Sequence, residues 1–212
     1  MVRVPTAPRE GEGGRLTDEF VRRLASAKEG DESSFAELFR SVQPSLLRYL
    51  RTLDRSVAED AASETWLSVV RGLHRFTGEE AGWRAWVFTI AHARLRDAQR
   101  QARRLPVPID AQELLESEPD GLDVAECVED MFSTEAALAL IGRLPREQAE
   151  VVLLRHVAGL DVSHTASVLG KRPGAVRVAS HRGLRRLAGM LGPGADGATA
   201  EACNAVDEMV GY

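Results

Sequence analysis

Residues 161–187 read DVSHTASVLGKRPGAVRVASHRGLRRL, and the fold of this chain is decided there. Two helices that cross tightly need a small residue at the contact, a residue free to adopt positive φ at the turn, and an apolar anchor about six residues further on. Ala166, Gly170 and Val176 meet these demands in that order. Asp161 is placed to cap the supporting helix, whose inward residues are Val162, Ala166 and Leu169. The second helix, from Pro173 to Leu187, has proline in its first turn, where a missing N–H costs nothing. Its outward positions hold Arg177, Val178, His181 and Arg182, followed by Arg185 and Arg186. Arginine near such a helix start can reach guanine O6 and N7 together, while arginines further along more often clamp phosphates. Ala-x-x-x-Gly also ends ordinary helical hairpins; the arginines are what turn this one toward DNA.

Working outward, the remaining sequence predicts more helices. Few aromatics and an abundance of Leu, Ala, Val, Arg and Glu suit helices packed through aliphatic stripes, so the chain is expected to be all-α. Thr17 is a candidate N-cap for a helix carrying Phe20, Val21 and Leu24 and ending at Gly30. Asp31 then caps a helix with Phe35, Leu38, Phe39, Val42, Leu46, Leu47 and Leu50 at helical spacing, past an expected kink at Pro44. A third helix starts near Ser56 and stops at Gly72, residues 76–82 read as a loop, and a fourth begins at Trp83. Ser133 or Thr134 can cap the next helix, which holds Ala137, Leu138, Ile141 and Leu144; Pro145 opens another with Val151, Leu154 and Val157.

The formal charge of −5 conceals blocks of opposite sign. Arg84, Arg94, Arg96, Arg100, Arg103 and Arg104 face a single Asp97 within residues 84–104, whereas residues 105–142 contain ten acids and no Lys or Arg. From Arg143 to Leu187 the excess is basic again. This patterning implies two cationic modules joined by an anionic strap. The expected organisation is a disordered tail at 1–15, a helical domain at 16–104, a flexible acidic linker at 105–132, a helix-turn-helix domain at 133–191 and a flexible tail at 192–212.

Cys127 and Cys203 stand far apart and outside any CxxC or Cys/His cluster, which argues for a reducing compartment and against zinc. Nothing approaches the ~20 apolar residues of a membrane span, and the first residues lack the apolar core of a signal peptide, so the expected location is the cytoplasm. Five scattered histidines form no metal cluster, and no nucleophilic triad or phosphate loop is present; no enzyme activity and no cofactor are expected.

In order and spacing, FAELFRSVQPSLLRYL (35–50), AEDAASETWLSVVRGLHRF (58–76), RAWVFTIAHARLRDAQRQARR (84–104), LIGRLPREQAEVVLLRHVAGLDVSHTASVLG (140–170) and GAVRVASHRGLRRL (174–187) resemble the extracytoplasmic-function (ECF) sigma factors, promoter-recognition subunits of bacterial RNA polymerase within the sigma-70 family. The likeness spans about residues 17–190. It implies that residues 16–104 are sigma region 2 and residues 133–191 sigma region 4. On this resemblance Asp60, Ser63, Glu64 and Leu67 dock on the clamp helices of the polymerase β′ subunit, and region 4 meets the β flap. The loop before Trp83 and the helix after it would recognise and melt the minus-ten element, with Trp83 and Phe88 as aromatic platforms for unstacked bases, His92 as a further contact, and Arg84, Arg94, Arg96 and Arg100 on phosphates. Lys171, Arg172, Ala175, Arg177, Val178, His181, Arg182 and Arg185 would read the minus-thirty-five element. The acidic linker would thread through the basic interior of the polymerase. An anti-sigma factor is a further candidate partner, since many family members are masked by one.

Two positions depart from the family pattern. His92-Ala93 stands where members often carry Arg-Asn, and Arg172 replaces the usual serine cap of the recognition helix. Two other readings compete with a sigma factor: an autonomous helix-turn-helix regulator binding an operator as a dimer, and a helical adaptor without DNA contact.

Overall fold

The computed structural model describes residues 14–104 and 128–191, and every regular element within them is helical. The first group comprises α1 (Gly14–Lys28), α2 (Glu32–Leu53), α3 (Ala58–Gly72) and α4 (Glu80–Ala102), with short 3-10 turns at Arg55–Val57 and Leu73–Arg75. The second comprises α5 (Val128–Gly142), α6 (Arg146–Val152), α7 (Val162–Leu169) and α8 (Pro173–Leu191). The stretches read as N-terminal tail and linker lie mostly outside the described residues, and the C-terminal tail lies wholly outside them.

Local chemistry accounts for most of the boundaries. Gly30, at φ 98°, turns the chain out of α1, and Asp31 accepts a hydrogen bond from the Ser34 amide at 2.8 Å to start α2. Those bonds also hold the Asp31 carboxyl below its ordinary pKa. Asp54 plays the same part after α2, accepting from the Ser56 amide. Helix α2 continues through Pro44 as one element, burying Leu38, Val42, Leu46, Tyr49 and Leu50 along one side. Trp66 of α3 packs its ring on Phe35 and Phe39 and donates its indole N–H to Gln43.

Three predicted starts need correction. Helix α1 begins at Gly14, which puts Thr17 inside it and not at its cap. Helix α4 begins at Glu80, three residues before Trp83, because the preceding turn closes at Gly78 (φ 153°). Helix α5 begins at Val128, so neither Ser133 nor Thr134 is its cap and the helix enters the stretch expected to be linker. Helix α6 also runs on into a π turn at Leu153–Val157, where the Ala158 amide bonds the Leu153 carbonyl.

The two groups do not stand apart. Helix α7 lies along α4, and α5, α6 and the π turn reach α2. One buried cluster runs from Phe20 through Leu46, Val69 and Leu95 into Ile141, Leu153 and Val168. A smaller one, formed by Val151, Ala166, Val176 and Ala179, holds α7 and α8 against α6.

Within the large cluster Tyr49 and His92 share a hydrogen bond of 3.0 Å between the hydroxyl and Nδ1. Burial pushes the His92 pKa below its ordinary 6.5; Glu150 opposes that shift, and Arg96 and Arg146 reinforce it. The folded chain thus favours neutral His92, and the unfolded chain takes up the proton first as pH falls through 6.5. This contribution to stability is present above that pH and is lost below it. Urea unfolding at pH 7.5 and 5.5 is expected to show a smaller loss for His92→Gln than for the native chain; an equal loss would contradict it.

Candidate nucleic-acid and polymerase interfaces

The helix-turn-helix has the geometry its sequence asks for. Asp161 accepts from the His164 amide at 2.7 Å, capping α7. Gly170 takes φ 63° and ψ 33°, and the following Lys171 amide returns to the Ala166 carbonyl at 2.9 Å, closing the turn. Ala166 and Val176 are both buried where α7 meets α8.

This packing turns Arg172, in the turn before α8, and Ala175, Arg177, Val178, His181, Arg182 and Arg185 on α8 to solvent. Val178 is an exposed apolar residue among them. Lys171 is only half exposed and is engaged by Glu147, whose carboxyl is held below its usual range by that hydrogen bond and by the lysine's charge.

Gly183 is the residue that sequence reading missed in this region. A Cβ there would lie 2.8 Å from Val152 Cγ2, so α8 approaches α6 more closely than any side chain allows. Val152 is itself buried and has little room to yield. Gly183→Val is expected to cost about 1–3 kcal/mol through overpacking, read as a lower melting temperature by circular dichroism. An unchanged melting temperature would contradict the close approach.

On α3, Asp60, Ser63, Glu64 and Leu67 are all exposed, and their spacing sets them on one strip. Val70, 54% exposed, extends the apolar ridge one turn beyond Leu67, which is 48% exposed. The sequence reading left Val70 out, although its step of three from Leu67 is the signal that places it.

Helix α4 requires three corrections. Trp83 and Phe88 are fully buried, and neither offers a face to a base in this structure. Trp83 packs edge-on against Phe76 and tilted against Trp86, while Phe88 lies edge-on against Tyr49. His92 is buried on Tyr49, which removes it from the DNA-facing set. The reason is common to all three: α4 is covered by α2, α3 and α7, so its apolar residues fill more than one side. Trp86 is the more exposed tryptophan of the pair; it stacks on Phe76 and lies against Gly72, where a Cβ would sit 2.9 Å from its ring.

The arginines of α4 differ in their availability. Arg96 and Arg100 are exposed, with Arg100 paired to Asp97. Arg84 and Arg94 are half-buried, Arg84 lying 3.6 Å from Glu80 and Arg94 3.8 Å from Asp97. All are surface ion pairs of low strength that a phosphate can displace.

Comparison with known proteins shows the family to which the chain belongs. A model of sigma-70 region 2 matches residues 38–105, and one of sigma-70, region 4 matches residues 134–187. The ECF RNA polymerase sigma factor ShbA of Streptomyces griseus is 37% identical over 172 residues, covering 76% of this chain and 89% of that protein. This chain belongs to the ECF RNA polymerase sigma factors. The ECF sigma factor SigD of Mycobacterium tuberculosis is 33% identical over 174 residues, covering 77% of this chain and 80% of that one. The structure of CnrH in complex with the cytosolic domain of CnrY shares the fold, with a TM-score of 0.54 at 20% identity over 80% of this chain and 94% of that one. Both sigma regions on one chain favour an ECF sigma factor over an autonomous dimeric regulator. Among the described residues no helix is long and apolar enough to cross a membrane, and no group of His, Cys, Asp and Glu is arranged to hold a metal ion.

Proposed function

We propose that this ECF sigma factor binds core RNA polymerase in the cytoplasm and directs it to promoters, contributing recognition and DNA melting and no catalysis of its own. The observation that carries the reading is the exposed arginine face of α8, set on a capped helix-turn-helix and joined to a second helical group with its own exposed cations. Arg177 and Arg182 serve base and phosphate contact at the minus-thirty-five element, with Arg172, Ala175, Val178, His181 and Arg185 around them. Arg96 and Arg100, with Arg84 and Arg94 behind them, serve the minus-ten phosphates. Residues 16–104 and 133–191 act as regions 2 and 4, and region 4 meets the β flap.

The α3 strip is the polymerase contact. Short acids beside an apolar ridge complement a basic coiled coil, and the Leu67–Val70 pair adds area that charge alone lacks. Glu64→Arg is expected to weaken binding to core polymerase by about tenfold or more through like-charge contact, with an unchanged circular dichroism spectrum because Glu64 is exposed. Co-elution of the variant with core polymerase at the native level would overturn the assignment of this face.

A further inference from the structure

We propose that Lys28 is a positioning residue for opening of the minus-ten element: its ammonium, reaching across from α1, fixes the loop between α3 and α4 before DNA arrives. This deepens the promoter-binding reading above and rests on it, since it needs residues 76–82 at the minus-ten element. The chain leaves the 3-10 turn at Phe76, where the backbone becomes extended, and regains helical form at Glu80. Helices α2 and α7 open on Asp31 and Asp161, whose side chains cap them, but α4 opens on Glu79, whose side chain makes no capping hydrogen bond. Other contacts hold the loop. Phe76 is buried, stacked on Trp86 with ring centroids 5.1 Å apart and edge-on to Trp83 at 5.5 Å. Lys28, in the last turn of α1, donates from Nζ to the Phe76 carbonyl at 2.6 Å. A carbonyl at the end of a helical turn lacks a partner within it, and a cation satisfies it with a charge-assisted bond. Gly78 completes the bracket: at φ 153° the chain passes close over Phe76, and a Cβ would sit 3.2 Å from the ring's Cζ.

The loop is thereby ordered before it is used. Capture of a base must offset the cost of unstacking it, and a loop that ordered only on contact would add its own lost entropy to that cost. With Phe76 set between two tryptophans and its carbonyl held by Lys28, the exposed Thr77 and Gly78 are presented on a fixed base. Trp83 and Trp86 serve here as the foundation of the loop. Loss of the Lys28 bond therefore falls on strand opening, and leaves in place the polymerase contact assigned to α3 and the minus-thirty-five contact assigned to α8.

The test is run-off transcription by the full chain with core polymerase, on a duplex promoter and on the same promoter with non-complementary strands across the minus-ten element. Lys28→Met keeps an apolar stem and removes the donor. It is expected to lower initiation on the duplex by about tenfold, the effect of losing a hydrogen bond to a charged group. The loss should be far smaller on the pre-opened template, where the bases are already unstacked. Lys28→Arg, which keeps a cationic donor, should recover most of the activity. In the free protein, the Phe76 and Trp83 amides bond to the Leu73 and Glu79 carbonyls at either end of the loop. Their hydrogen exchange should quicken in Lys28→Met while that of α2 stays unchanged. Equal loss on both templates would overturn the proposal, because it marks a merely weakened fold or polymerase contact. Native initiation on the duplex, native exchange at both amides, or Lys28→Arg no better than Lys28→Met would overturn it too. A native chain whose initiation ignored the minus-ten sequence would instead sink the promoter-binding reading, which separates the two failures.

Discussion

Replacing Arg177 and Arg182 together by alanine is expected to reduce initiation from a promoter that depends on its minus-thirty-five element by roughly 10- to 100-fold. Bidentate base contact by arginine is worth about 1–3 kcal/mol, and each phosphate contact removed lowers the salt dependence of binding by about one unit of slope. Both side chains stand in solvent on α8, so truncation removes DNA contact and leaves the packing of Val176 and Ala179 beneath them intact. The measurement is run-off transcription beside a promoter lacking that element, where the double variant should match the native protein. Equal loss on both templates would mean that the two arginines serve something other than this element.

Trp83→Ala is expected to destabilise the protein by about 3–5 kcal/mol, the range for removing a large aromatic side chain from a core. For a chain of this size that is a fall in melting temperature of roughly 6–20 °C. Trp83 is completely enclosed, with Phe76 and Trp86 against it. Its buried indole N–H finds no acceptor among the described residues, so Trp83→Phe removes an unsatisfied donor and should lose much less. Thermal unfolding separates this from a base-stacking role. A Trp83→Ala protein with native stability and defective DNA melting would restore Trp83 to the minus-ten site.

The comparison of Trp83 with Gly170 shows what can be read from the sequence. Gly170, Ala166, Asp161 and Val176 were legible because a tight turn makes local demands that few residue types satisfy, and all four meet them within one short stretch. The exposed strip of α3 was legible for a related reason: polar and apolar residues separate cleanly by helical spacing when only one side is buried. Helix α4 defeats that rule. It is packed by α2 and α3 on one side and α7 on another, so Trp83, Phe88, His92 and Leu95 are all interior, and spacing gives no way to choose which aromatic faces outward.

Helix starts went astray where the expected capping side chain was not used. Neither Thr17 nor Thr134 begins its helix, because α1 starts upstream at Gly14 and α5 at Val128. The closeness of Gly183 to Val152, and the hydrogen bonds of Gln99 to Asp54 and Arg146, depend on contacts between distant segments, which no local pattern records.

Run-off transcription with purified core polymerase and promoter-containing DNA, with and without the native protein, tests the central claim most directly. Site-selective transcripts that require the protein, and that are lost on challenge with DNA lacking either promoter element, are the expected result. Polymerase that starts no more selectively with the protein than without it, on any promoter-containing template, would contradict the assignment of this chain as a working sigma subunit.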